Sequence, residues 1–326
     1  MTTRGSAVAD ACPGAPAGSV DAFPAPVATL LRQADLCLVD VGARGTPPEA
    51  ARRLAPFLRL IAFEPDAAEA TRLRTGLREY PWRAFIVRPE AIGRPPKATL
   101  HVTARPGFSS LLPPDQAVAD RYRKINESVR VTHTREVPTV GLDEAAAAHG
   151  FRDACWLKLD TQGTELHILE TGQSLLDSVV GVQTEVAFQP LYRSQPMFAD
   201  VDAHLRSHGF ALADLRVRSM RGRGFDRKLY SRRQPVGGDC LYLREPDADR
   251  PRALARYLAL ALAYDQHDLL RSALTRGRTP ATLGDGDAGR LLETAIDYMR
   301  RRTAAKLDGL PRTESRRLLA ATEKRP

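Results

Sequence analysis

Five acids and a lysine stand at spacings that could do chemistry. Asp40 closes an apolar run, Leu36-Cys37-Leu38-Val39, and leads into the turn Val41-Gly42-Ala43-Arg44-Gly45. Glu64, 22 residues after Gly42, closes a second apolar run, Leu60-Ile61-Ala62-Phe63. A buried strand ending in an acid and a glycine opens a nucleotide pocket in many doubly wound α/β proteins. Glycine lets backbone approach a ligand, and an acid about twenty residues on can accept hydrogen bonds from ribose hydroxyls. Asp160 ends a further run, Ala154–Leu159, and Glu185 stands near the end of Val179–Val186. Carboxylates above the C-terminal edge of a sheet can take a proton from an acceptor or orient it, and Asp160 is the first choice for that role. Lys158, two residues before Asp160, lies on the same face of its strand. A buried lysine needs an acid, and Asp160 or Glu185 would serve. Glu165 falls in the first turn of a helix, where the dipole favours a carboxylate.

The turn selects among nucleotides. A pyrophosphate cradle wants G-x-G-x-x-G, whereas Gly42-Ala43-Arg44-Gly45-Thr46-Pro47 holds two glycines and runs into Pro47-Pro48. A ligand with a ribose and no phosphate fits better, and S-adenosylmethionine is such a ligand. Asp160 and Glu185 together could also hold Mg2+. The seven histidines are scattered without an H-x-x-x-H spacing, His133 reads as a surface residue, and no metal ligand is assigned.

Strands alternating with helices must position these residues. Strands are expected at 36–39, 60–63, 82–87 and 98–103, then at 136–140, 154–159, 179–186, 210–217 and 240–244. Helices are expected between them, with Asp66 capping the one that runs to about Glu79. That order predicts a largely parallel sheet covered on both faces over residues 34–246. Residues 1–33 read as a disordered tail, rich in Ala, Gly, Pro and Ser, with a lead-in helix near Val27–Gln33. Residues 247–326 read as an all-helical extension that could dimerise, cap the site or dock a partner. Its run Leu254–Tyr264 is apolar nearly all round, as in a buried helix, and too short for a bilayer.

The chain has 326 residues, a net charge of +9 and a pI near 9.7, which permits an anionic partner without choosing one. Cys12, Cys37, Cys155 and Cys240 are scattered with no C-x-x-C, like thiols of a reducing compartment. No apolar segment is long enough to span a membrane, and no continuous apolar leader is seen, so a cytoplasmic location is expected. The segment Arg216–Arg233 carries eight Lys or Arg against one acid. It reads as a solvated hairpin or as a clamp for an anionic acceptor such as a sugar nucleotide or acidic glycan. Aromatics are sparse there, which disfavours nucleic acid.

Six pieces in order resemble the FkbM-type S-adenosylmethionine-dependent methyltransferases: Val39-Asp40-Val41-Gly42-Ala43, Phe63-Glu64-Pro65-Asp66, Ala91-Ile92-Gly93, Ser109-Ser110-Leu111, Val137–Glu144 and Leu157–Glu165. The resemblance spans residues 36 to about 170 and omits the helical extension. It implies a class I methyltransferase (Rossmann-like) fold, with Asp40 and Gly42 at the methionine end of the cofactor, Glu64 on the ribose and Ala91-Ile92 beside the adenine. The family usually has Asn and a second Gly where this chain has Arg44, Gly45 and Thr46, so Arg44 must point outward or pair with an acid. The resulting reading is O-methylation of a hydroxyl on a sugar, polysaccharide precursor or secondary metabolite. Asp160, Lys158 and Glu185 are placed at the chemistry, Asp160 also at the cofactor, and Ser109, Ser110, Glu165, Arg221 and Arg223 on the acceptor. The alternatives are RNA or N-methylation, or an interaction module that binds cofactor weakly.

Overall fold

A computed structural model describes residues 23–122, 125–226, 231–247, 250–275 and 287–308. The tail before residue 23, the end of the helical extension after residue 308 and residues 227–230 of the basic segment lie outside them. The described residues fall into two compact units, one from Asp35 to Asp247, the other formed by the segment before Asp35 and the helices after Asp247.

In the first unit, β1 (Leu36–Val41), β2 (Leu58–Phe63), β3 (Ala84–Arg88), β7 (Trp156–Leu159), β8 (Gly181–Ala187), β9 (Ala211–Met220) and β10 (Gln234–Leu243) form one sheet. Its order is β3-β2-β1-β7-β8-β10-β9, parallel from β3 to β8 and antiparallel in the final hairpin. The central strands are largely apolar because helices cover both faces, and β1 is buried at every residue. This is the doubly wound sheet expected. The chain winds outward from β1 to β3, then returns to lay β7 on the other side of β1. That reversal is the topological switch point, where such sheets bind ligands beyond their C-terminal ends.

A small second sheet, β4 (Ala91–Ile92), β6 (Val131–Val140) and β5 (Lys97–Thr103) in that spatial order, stands between β3 and β7 in the chain. It carries one wall of the site. Strand β6 starts five residues before the expected position, because antiparallel pairing with β5 holds its first six residues although they are exposed. Strands β9 and β10 likewise run into the basic segment, pairing as far as Met220 with Gln234.

Of the helices in this unit, α2 (Glu49–Arg53) follows the glycine turn and α3 (Ala67–Leu77) follows β2. The Asp66 carboxylate caps α3, accepting from the Ala68 and Glu69 amides at 3.0 and 3.1 Å, as its position predicts. Then come α4 (Gln116–Ala119), α5 (Leu142–His149), α6 (Glu165–Glu170), α7 (Gln173–Leu176) and α8 (Phe198–Ser207).

The second unit packs α1 (Ala25–Ala34) with α9 (Pro251–Ala263), α10 (His267–Thr275) and α11 (Asp287–Asp308). The lead-in helix therefore sits among the C-terminal helices. Every residue of α9 from Leu254 to Ala263 is buried. Within it Arg256 donates from Nε to the last carbonyl of α1, Ala34, at 3.0 Å, satisfying a helix-end acceptor.

Candidate functional site

Backbone closure builds the floor of the site. The amides of Gly42 and Ala43 both donate to the Phe63 carbonyl at 3.1 Å, and the Asp160 amide donates to the Val41 carbonyl at 3.1 Å. The ends of β1, β2 and β7 are thus tied together. Gly42 has φ of +74°, and a Cβ on it would lie 2.1 Å from the Asp160 carbonyl oxygen. This glycine is required by its own chain's close approach.

Over that floor opens a cleft of about 390 Å³, lined by Gly42, Glu64, Ala91, Ile92, Ser109, Ser110 and Asp160 among others. Seven of the residues assigned from sequence to cofactor, chemistry or acceptor thus converge. Ala91 and Ile92 supply an apolar wall on β4. Glu64 accepts through Oε1 from the Asp66 amide at 2.9 Å, and burial raises its pKa above the ordinary carboxylate value. Among the described residues its Oε2 has no hydrogen-bond partner, which leaves an acceptor at the cleft. Arg44 lies 3.5 Å from Glu64, 3.5 Å from Asp66 and 3.6 Å from Glu69. It pairs with acids, as its place in the turn demands.

Asp40 and Lys158 do not line the cleft. Lys158 Nζ donates to Asp40 Oδ1 at 2.7 Å, between side chains 12% and 3% exposed. Burial works against the ammonium, but Asp40, then Asp160 and Glu185, outweigh it and raise the lysine pKa. The expected partner of Lys158, Asp160 or Glu185, is corrected to Asp40, its direct neighbour in the β1–β7 register. Cross-strand neighbours lie about 4.8 Å apart and same-strand i, i+2 residues about 6.6 Å, so Asp40 is the nearer acid. Neither residue of this pair is among those lining the cleft.

Glu165 is likewise turned inward. Its carboxylate accepts from the Thr161 amide at 2.8 Å and the Gly163 amide at 2.9 Å, bracing the loop that carries Asp160. Glu165, assigned to the acceptor from sequence, lines neither this cleft nor the cavity beside it. Ser110 lines the cleft, but its hydroxyl donates to the Gln162 carbonyl at 2.8 Å. Thr103 N donates to Ser109 Oγ at 3.2 Å.

A second cavity of about 250 Å³ adjoins the first, and Gly107 and Gln162 line both. Glu185 lines this second cavity. Its carboxylate contacts the Arg218 guanidinium and accepts from Gln162 Nε2 at 2.5 Å. Burial, then the nearby Asp160 carboxylate, pushes its pKa well above the ordinary range against the pull of Arg218. Gln162, at φ +59°, also donates from Nε2 to Asp160 Oδ1 at 3.0 Å, and its Oε1 accepts from the Tyr192 hydroxyl at 3.2 Å. One carboxamide therefore links the two carboxylates across the wall between the cavities.

Gln162, Tyr192 and Arg218 were not singled out from sequence. The positive φ of a non-glycine residue leaves no trace in composition. Arg218 lies in the basic segment, where Arg221 and Arg223 were assigned instead, and neither of these lines either of the two cavities. Strand β9 continues to Met220 and sets Arg218 opposite Gly237. The turn beyond it places Arg221 over the Phe225 ring at 4.0 Å. No group of three or more His, Cys, Asp or Glu that could hold a metal ion occurs among the described residues. No described helix is long and apolar enough to cross a membrane.

A family model described as the methyltransferase FkbM domain matches residues 40–212, more than half of the chain. No curated protein matches. Among solved structures, the chain is similar to a precorrin-6y C5,15-methyltransferase from Geobacter metallireducens at 11% identity, covering 67% of this chain and 88% of that one, with a TM-score of 0.32. It is also similar to magnesium protoporphyrin IX methyltransferase from Synechocystis with bound SAM, at 10% identity, 67% and 76% coverage and a TM-score of 0.33. A putative RNA methyltransferase from Pyrococcus horikoshii matches at 10% identity, with 72% and 93% coverage and a TM-score of 0.29.

Proposed function

Because this chain belongs to the FkbM methyltransferase family, we propose that it methylates a hydroxyl oxygen with S-adenosylmethionine as donor. The observation that carries the reading is the charge of the larger cleft. Glu64, Asp66, Glu69, Glu90 and Asp160 line it against two guanidiniums, Arg44 and Arg72. Five carboxylates against two bases favour a cationic ligand and oppose a pyrophosphate. The Glu64 Oε2, without a hydrogen-bond partner among the described residues, suits a ribose diol, and Ala91-Ile92 suits the flat apolar face of a base.

When bound, the sulfonium supplies an already electrophilic methyl group whose C–S electron pair leaves with sulfur. The protein must then bring an oxygen into line, exclude water and accept the hydroxyl proton. Glu185 fits the last of these roles, because a carboxylate with a raised pKa is a stronger base than an ordinary one. Asp160 and Gln162 orient it from the cofactor side. Lys158 and Asp40 serve the site indirectly, by fixing the β1–β7 seam beneath it.

Calorimetric titration with S-adenosylhomocysteine, with NAD as control, tests the donor assignment. Binding of the first and none of the second is expected. Binding of NAD, or of neither, overturns it.

A further inference from the structure

The second cavity has a makeup that none of the sequence motifs indicates. Its walls are Phe108, Ile125, Val186, Leu191, Met220 and Val236. Phe108, Leu191 and Met220 pack on a hydrophobic cluster of their own, built on Val118, Tyr122, Ile125 and Val236. This cluster joins two segments distant in sequence: the Arg223 amide donates to the Arg121 carbonyl at 2.7 Å, and Tyr122 bridges to Gly222.

The polar lining residues, Gln162, Glu185, Tyr192, Gln195 and Arg218, are engaged within the protein. Tyr192 donates to the Phe108 carbonyl at 2.8 Å as well as to Gln162, and Gln195 Oε1 accepts from the Tyr192 amide at 3.1 Å. Arg218 is held by Glu185 and by Asp239, the latter at 3.5 Å. The charged groups of the cavity are therefore balanced within the protein. Of these polar residues Gln162 lines the donor cleft as well, and it is bonded to Glu185.

We propose that this cavity is the acceptor site and that it takes a neutral molecule with an apolar, ring-sized body carrying the hydroxyl to be methylated, in place of an anionic glycan. The proposal rests on the methyl-transfer reading above. Its argument is desolvation. A sugar unit would have to compete for Gln162, Glu185, Tyr192 and Arg218, which are already engaged within the protein, and would set its other hydroxyls against Phe108, Ile125, Leu191 and Val236, where a buried polar group without a hydrogen bond is unfavourable. A phenolic or alicyclic body buries apolar surface there instead, which is favourable. Its one hydroxyl is placed at Gln162 and Glu185, the polar pair next to the donor cleft. An oxygen there faces the donor cleft on one side and a basic carboxylate on the other. As the O–CH3 bond forms and the C–S bond breaks, the hydroxyl proton passes to Glu185. The cavity, at about 250 Å³, is smaller than the roughly 300–1,000 Å³ of drug-sized sites, which suits one or two rings.

The test uses the full chain, calorimetry and three probes: 1-naphthol, methyl glucoside and UDP-glucose. Each is titrated into free protein and into protein saturated with S-adenosylhomocysteine. Saturable binding of 1-naphthol is expected, with none for either sugar probe. Leu191→Trp and Met220→Trp, which fill the cavity from two elements, should each weaken naphthol binding at least tenfold and leave S-adenosylhomocysteine affinity unchanged. That unchanged affinity also reports a folded protein. The proposal is overturned if naphthol does not bind, if it binds both tryptophan variants as well as wild type, or if a sugar probe binds and the variants block it. Failure of the donor reading is separate: S-adenosylhomocysteine would then not bind wild type, and the naphthol titration of free protein would still give its own answer.

Discussion

Lys158 Nζ and Asp40 Oδ1 lie 2.7 Å apart across the β1–β7 seam, a buried ion pair beneath the switch point of the sheet. The two strands whose ends bear the site are thereby joined by charge as well as by their backbone ladder. Removing one partner leaves the other charge buried alone, typically a loss of about 3–5 kcal/mol. Lys158→Met is expected to lose stability on that scale in urea denaturation. The Asp40→Leu/Lys158→Met double variant should recover most of it, because an apolar pair of similar volume replaces the ion pair at little cost. A single variant as stable as wild type would show that the pair contributes nothing.

Gly42 cannot be replaced. Its φ of +74° already disfavours any side chain, by about 1–3 kcal/mol at such positions. A Cβ would in addition strike the Asp160 carbonyl. Gly42→Ala should therefore lower the melting temperature more than Gly45→Ala, whose Cβ would meet nothing within 4 Å although its φ is +87°. Equal losses in the two variants would show that the close approach to Asp160 adds nothing.

Glu64 is assigned to the donor through Oε2. Glu64→Ala should weaken S-adenosylhomocysteine binding by roughly 1.5–3 kcal/mol, the scale of hydrogen bonds to a charged group, as read by calorimetry. Unchanged affinity removes Glu64 from the ribose.

Glu185 makes activity and stability depend on pH in opposite senses. Its native pKa is raised by burial and by Asp160, so the folded protein holds the proton longer than the unfolded chain. Its contribution to stability is full below the unfolded carboxylate pKa and is lost as pH rises through the raised native value. Turnover needs the deprotonated form and should rise through the same window. Urea midpoints and kcat/KM measured against pH should both carry this step in wild type. Glu185→Gln should flatten the stability step and lower turnover by about 10²–10⁴-fold, the range for a general base.

Apolar runs ending in acids at Asp40, Glu64, Asp160 and Glu185, alternating with helical stretches, were enough to foresee the parallel sheet, and they put the candidate site at its C-terminal edge. Both inferences rest on local pattern: an apolar run encodes a buried strand, and the strand's end is where ligands of such sheets bind. The Asp66 cap and the buried α9 were legible for the same reason, since each depends on residues within a few positions of one another.

Partners were not legible, because they are set by register and by close approach between distant segments. Alternation along β7 tells which face Lys158 occupies; pairing with β1 alone decides that Asp40 is its acid. The glycine signal in the turn was real, yet what crowds Gly42 is the Asp160 carbonyl, 118 residues on in the chain. Length of pairing in β9 brought Arg218 to Glu185 and carried Arg221 and Arg223 past it. Gln162 joins Asp160, Glu185 and Tyr192 through a backbone conformation that only the folded loop imposes. Composition and spacing thus determined the type of fold and the acids at its edge. Tertiary contact decided which of those acids line a cavity, which brace the seam, and that a second cavity stands beside the first.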